Sequence, residues 1–242
     1  MDNTLYIGLS RQMTLQRSLD VVANNLANVD TIGFKVESLI VETDEATPRS
    51  LPATQPLRYV IDRGVGRNFG QGPLQQTGGA LDVAIEGNAF FAVNTPDGPR
   101  YTRDGRFAID AQNQLVDKQG NTVQAAGGGV ITLDPKTHDV SIAKDGTVSQ
   151  GGKSVGRLGA VRFANLAGLK KEGGNLYSSD EVPASARDAQ LHGGMIEGSN
   201  VQPITEITSM IEITRAYERL NTMMNQTEDL STRAVDRLGK AA

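Results

Sequence analysis

Apolar residues at helical spacing occupy both extremities of this chain, with a glycine-punctuated segment of different period between them. Near the start, Leu15, Leu19, Val22, Leu26 and Val29 step by 4, 3, 4 and 3. This spacing keeps one helix face apolar and makes a heptad seam. Leu5, Leu9 and Met13 extend the apolar surface on a neighbouring line. Gly33 can adopt a left-handed stop conformation, so a helix is expected from about Asp2 to Val29. Near the end, Met210, Ile213, Tyr217, Leu220 and Met224 repeat the stepping, continued by Thr227, Ser231, Ala234 and Leu238. Ile204, Ile207 and Ile211 form a second line. Asn200 is the expected N-cap, Pro203 suits the first turn and Gly239 the end. About 38 residues at ~1.5 Å each give a helix roughly 57 Å long.

Between the helices the period changes to two. Leu81, Val83 and Ile85 alternate with Asp82, Ala84 and Glu86, which predicts a half-buried strand. Turn dipeptides follow at short intervals: Asp97-Gly98, Asp104-Gly105, Gln119-Gly120, Asp145-Gly146 and Gly151-Gly152. Tyr101–Asp110 and Val140–Gln150 each read as strand, turn, strand. An antiparallel all-β domain is therefore expected in the middle. Residues 36–79 fit neither period; the acidic, then Pro- and Thr-rich stretch ETDEATPRSLPATQP predicts an extended linker. Residues 164–199 read as irregular and Gly-rich.

The helices pose a packing problem. Each carries more than one apolar line, wider than a two-stranded seam requires. The chain offers one long partner to each, so the remaining surface is expected to be covered by other copies of the same chain. An isolated copy is expected to leave these stripes unsatisfied and its termini frayed.

Composition narrows the function classes. The net charge of −4 has well-mixed signs and no basic stripe, which argues against nucleic acid. The absence of cysteine excludes disulfides, thiol nucleophiles and Cys-based metal sites. No run approaches the ~18 apolar residues of a membrane helix, so no membrane insertion is expected. The opening MDNTLYIGLSRQ has an early Asp2 and no basic patch, unlike a Sec signal peptide.

A search for catalytic or cofactor chemistry finds none. His138 and His192 read as solvated loop histidines. GVGRNFG (64–70) lacks the GKS or GKT ending of a phosphate loop and reads as a loop, and the Glu42, Asp44 and Glu45 cluster as a solvated one. No catalytic, cofactor-binding or metal residue is nominated, and no cofactor is expected. A glycan- or peptidoglycan-binding β module is the alternative of a different class. It would need a groove lined with aromatics, whereas Phe90, Phe91, Tyr101 and Phe107 fall on expected core faces.

The segment ANNLANVDTIGFK (Ala23–Lys35) is crowded with amides at Asn24, Asn25 and Asn28, residues that serve poorly inside a helix. It resembles the signature of the flagellar axial proteins, the rod and hook components of the bacterial flagellum. LDVAIEGNAFFAV (81–93), RYTRDGRFAID (100–110) and GSNVQPITEITSMIEITRAYE (198–218) resemble further blocks of that family, in family order. Ala89 and Asp30 depart mildly from the usual pattern. Length and opening are most similar to the proximal-rod members, with distal-rod members the alternative.

The resemblance implies a non-enzymatic structural subunit of α+β class, whose long N- and C-terminal helices form a coiled-coil assembly domain, with the antiparallel all-β domain that lies between them in sequence facing outward. The implied division is 1–35 for the N-terminal helix and signature, 36–79 for the linker, 80–197 for the β domain and 198–242 for the C-terminal helix. Implied partners are other copies, other rod proteins and the flagellar type III export apparatus; the implied location is the basal body, reached without a Sec signal. The expected assembly interface comprises Leu15, Leu19, Val22, Asn24, Asn25, Leu26, Asn28, Gly33 and Phe34, with Met210, Ile213, Tyr217, Leu220 and Met224. The amides are expected to fix the turn after the helix and its register against neighbouring subunits.

Overall fold

The computed structural model describes residues 2–46, 57–137 and 139–240. His138 and the Pro- and Thr-rich stretch 47–56 lie outside the described residues. The chain divides into two compact units. The first holds residues 1–27, 37–66 and 202–242; the second holds 28–36 and 67–201.

The first unit contains helix α1 (Asp2–Ala27), strands β1 (Glu37–Ala46) and β2 (Leu57–Arg67), and helix α2 (Pro203–Lys240). The 38-residue α2 has the expected length. Asn25 bonds Glu206 near one end of the pair, and Gly8 lies against Met224 near the other, so the helices run antiparallel. The end of α1 is level with the start of α2, so the 38-residue α2 outruns the 26-residue α1 by roughly 18 Å. β1 and β2 pair in a two-stranded sheet. This corrects the expected linker at 36–79: its described residues build two long strands, in which Leu39, Ile40 and Val41 supply strand-forming side chains. The loop expected at 64–70 likewise begins inside β2.

The second unit is β-rich. In chain order its strands are β3 (Leu74–Gln76), β4 (Val83–Glu86), β5 (Phe90–Thr95), β6 (Gly98–Thr102), β7 (Ala108–Ile109), β8 (Leu115–Val116), β9 (Thr122–Val123), β10 (Val140–Ile142), β11 (Thr147–Gln150), β12 (Lys153–Arg157), β13 (Ala160–Arg162), β14 (Lys170–Lys171), β15 (Leu176–Ser178), β16 (Ala184–Ser185), β17 (Gln190–Gly193) and β18 (Met195–Glu197). The largest sheet runs β14-β15-β6-β5-β9-β8-β7, with β13 also on β5 and β16 on β13. β10-β11-β12 form a meander, and the pairs β17-β4 and β18-β3 complete the unit. Every pairing given a register is antiparallel.

Four of the five turn dipeptides sit at hairpin turns. Gly98, Gly120 and Gly146 take positive φ between β5 and β6, β8 and β9, and β10 and β11. Gly151 and Gly152 both do so between β11 and β12, as a primed turn requires. Asp104-Gly105 is the exception, because β6 pairs with β5 and β15 while β7 pairs with β8. Gly105 is needed there for close approach: its carbonyl accepts from Val83 N–H at 2.9 Å, and a Cβ would lie 1.7 Å from the Val83 oxygen.

The expected half-buried strand at 81–86 is instead buried on both faces, since Ala84 is as inaccessible as Val83 and Ile85. β5 separates two apolar clusters. Phe91 and Val93 face the larger one, with Leu115, Val123, Ile131, Val148, Leu158 and Leu191. Phe90 and Ala92 face a smaller aromatic one, with Phe69, Tyr101, Phe163 and Tyr177 meeting edge to face. Two packed faces explain why Phe-Phe tolerates no polar alternation here.

Candidate assembly interface and the node beneath it

The predicted seams meet within one chain, in part. Leu15 is buried, and Leu19, Val22 and Leu26 are half-buried, as are Met210, Ile213, Tyr217, Leu220 and Met224. Leu15 and Leu19 share a groove with Ile213 and Tyr217. Gly8 admits the close approach: a Cβ there would stand 3.1 Å from the Met224 sulfur. The register of the pair is marked by Gln12, whose Nε2 donates to Tyr217 Oη at 2.8 Å and Asn221 Oδ1 at 3.1 Å. The stripes expected to wait for sister copies thus cover each other first.

The exposed apolar surface lies on the second lines. Tyr6, Leu9 and Met13 of α1 are exposed, Met13 at 65%. On α2, Ile204 at 82%, Ile207, Ile211, Met223 and Leu230 are exposed. Leu9, Met13 and Tyr217 line an open groove with Gln12, Gln16, Arg17 and Asp20. Ile204, Ile207 and Ile211 stand on successive turns and form one exposed apolar ridge.

The amides answer to local structure. Asn25 is 1% exposed and brackets Glu37: its Nδ2 donates to the Glu37 carbonyl at 2.8 Å, and its Oδ1 accepts from the Glu37 N–H at 2.9 Å. The same Nδ2 donates to Glu206 at 3.0 Å. Asn24 donates to the Glu37 carboxylate at 3.0 Å. These contacts lock the end of α1 to β1 and to the first turn of α2. Asn28 accepts from the Thr31 hydroxyl, and its carbonyl accepts from the Thr31 N–H in the turn beyond α1. Asn28 thus has a place in the turn, and Asn25 spends its amide on contacts inside the chain.

Gly33 and Phe34 also belong to the interior. Gly33, at φ 70°, lies six residues past the end of α1. A Cβ there would be 2.8 Å from Arg103 C and Asp104 N, so its role is close approach in the β-rich unit. Phe34 is buried beneath the Lys171 ammonium, 4.4 Å from its ring centre. Asn200 does not cap α2. Its Oδ1 accepts from Val36 N–H at 2.7 Å, and its Nδ2 donates to the Asn68 and Gly70 carbonyls. Glu206 N–H bonds the Gln202 carbonyl, which opens the helix instead. His192 lies on β17, not in a loop, with Nε2 2.8 Å from Glu86.

Sequence reading missed a buried ionic node. Lys35, Arg103 and Glu197 have fully buried side chains. Lys35 Nζ meets Glu197 Oε1 at 2.6 Å and the Gly70 carbonyl at 2.7 Å. Arg103 Nη1 meets Glu197 Oε2 at 3.1 Å, and Nη2 donates to the Gly87 carbonyl at 2.6 Å. Gly72 N–H also donates to Glu197, while Gly33 N–H donates to its carbonyl. The guanidinium lies 4.9 Å from the Phe90 ring centre. Burial, opposed by Glu197, lowers the pKa of both Lys35 and Arg103. A lone charge beside apolar residues marks IGFK and MIEG, whereas Arg103 is hidden among the charges of RYTRDGR.

Three family profiles match the chain in order. Flagella basal body rod protein covers residues 5–35, flagellar hook protein FlgE/F/G D1 domain covers 84–150, and flagellar basal body rod FlgEFG protein C-terminal covers 192–237. The flagellar basal-body rod protein FlgF of Caulobacter vibrioides is 53% identical over 99% of both chains. That of Mesorhizobium japonicum is 33% identical over 99% of both. The rod protein FlgG of Bacillus subtilis is 31% identical over 95% of this chain and 97% of its own. Profiles and relatives reach both helices and the β-rich unit alike, and on that basis the chain belongs to the flagellar basal-body rod proteins, as a homologue of FlgF.

Proposed function

We propose that this chain is a structural subunit of the proximal rod, that it joins further copies and other rod proteins through the outer faces of its paired terminal helices, and that it helps carry torque towards the hook. The observation that carries this reading is the exposed ridge of Ile204, Ile207 and Ile211 on a helix whose other apolar line is already occupied by α1. The in-chain seam of Leu15, Leu19, Val22 and Leu26 with Met210, Ile213, Tyr217, Leu220 and Met224 makes a stiff two-helix unit. The second lines, the roughly 18 Å overhang of α2 and the half-covered edges of the seam remain for neighbours. A stable contact would bury on the order of 1,000 Å² or more.

The test is a double substitution, Ile207→Asp with Ile211→Asp. Both side chains are exposed, so helix content and the tyrosine near-UV signal should match the parent protein. Incorporation into purified basal bodies and swimming should be lost. Normal incorporation and motility in a strain carrying the double variant would overturn the assignment of this face.

A further inference from the structure

The β-rich unit is built from residues 28–36 and 67–201, so its first and last pieces are far apart in the chain. The last piece makes contacts out of proportion to its length. β17 is the partner of β4, and β18 of β3. Leu191 enters the larger apolar cluster. Gly194 N–H donates to the Asp82 carbonyl, and Gly198 N–H to that of Pro73, each at 2.8 Å. Glu197 is the anion shared by the buried Lys35 and Arg103, and Asn200 ties Val36, Asn68 and Gly70.

We infer that residues 190–201 act as a closing strap, and that the centre of the β-rich unit has no stable fold until the strap arrives. Without it, two desolvated cations face each other with no anion, which opposes collapse of the surrounding core. β3 and β4 lose their partners, and the larger cluster loses Leu191. Closure must also overcome the entropy of joining segments more than a hundred residues apart. A chain that emerges N-terminus first therefore keeps this unit open until residue 201 is out, with α2 alone still to follow. The device holds the polypeptide in a threadable state through most of its length, by fold topology and without a separate inhibitor.

The test uses the full-length protein and native-state hydrogen exchange. Asn200→Ala removes three side-chain hydrogen bonds from the strap and should lower protection about tenfold or more. The inference requires the same fold-change at strap contacts, Gly33 and Gly198 N–H, and at central amides, Leu115 and Gln124 N–H. Wild-type protection retained at Leu115 and Gln124 while Gly33 and Gly198 lose theirs would overturn it, as would no change at any of the four. A second measurement avoids the variant altogether: in pulse-labelled refolding of the parent chain, all four amides should gain protection in one phase. Earlier protection of Leu115 and Gln124 would show a centre that stands alone.

Discussion

The buried node permits a prediction with an unusual asymmetry. Glu197 faces two cations, with N···O separations of 2.6 Å to Lys35 and 3.1 Å to Arg103, and all three side chains are inaccessible. At an effective dielectric of about 20, unit charges ~3 Å apart attract by roughly 5–6 kcal/mol before desolvation is subtracted. Glu197→Gln is nearly isosteric, yet it deletes both attractions and strands two positive charges. Breaking one buried pair costs about 3–5 kcal/mol, so this change should cost ~5 kcal/mol or more. That equals the whole stability of many domains. Lys35→Met also removes an attraction, but it removes a desolvated charge and the repulsion with Arg103 as well. It leaves Arg103 and Glu197 balanced one to one. Its net cost should stay within about 2 kcal/mol of zero.

Denaturant unfolding followed by near-UV dichroism reads this unit directly, because Tyr101 and Tyr177 are buried in its aromatic cluster. The expected order is parent close to Lys35→Met, with Glu197→Gln far below or unfolded. Adding Lys35→Met to Glu197→Gln should recover part of the loss, since one stranded cation is less costly than two. Equal destabilisation by Lys35→Met and Glu197→Gln, or no recovery in the double variant, would refute the charge-count reasoning.

Three further outcomes follow from the same geometry. Burial holds the folded-state pKa of Lys35 below its ordinary 10.5, so just below that value the unfolded chain binds more protons; stability should rise as pH climbs towards 10.5, and Lys35→Met should flatten the slope. Asn25→Leu removes the buried bonds to the Glu37 backbone and to Glu206, so the helical unit should lose about 2–4 kcal/mol while amide protection at Leu115 is unchanged, as exchange would reveal. Gly105→Ala drives a methyl group into the Val83 carbonyl and should abolish the cooperative near-UV transition, whereas Gly127→Ala, with open space around its Cβ, should not.

Helix existence, helix length and most hairpins were legible because they depend on local chemistry: 3-and-4 apolar stepping, and glycines that accept positive φ. At three glycine and asparagine positions, tertiary contact overrode local preference. Gly105 resembles a hairpin glycine but serves close approach. Asn200 resembles an N-cap but closes the β-rich unit. Gly33 resembles a helix stop but accommodates the Arg103 backbone. Glu37 to Arg67 resembled a linker because acidic and Pro-rich residues masked the strand-forming side chains at either end. Which apolar line of each helix would be exposed was not readable either, since both lines obey the same period and the choice is made by the partner.

The node changes what the motif blocks mean physically. Lys35 comes from the stretch after the first helix, Arg103 from the middle and Glu197 from just before the second helix. Each block contributes one charge, and together they form a single site inside the β-rich unit. A charged group at zero exposure is tolerated only when its counter-charge is in place, so the two cationic blocks both depend on the anion that Glu197 brings. Specification of closure therefore resides in the residues that look most like a signature. The surface on which neighbours would dock is written instead in isoleucines that look like ordinary core. Removal of the node's anion by Glu197→Gln and charge substitutions on the Ile204–Ile211 ridge should then separate cleanly, the first abolishing the fold and the second sparing it while blocking assembly.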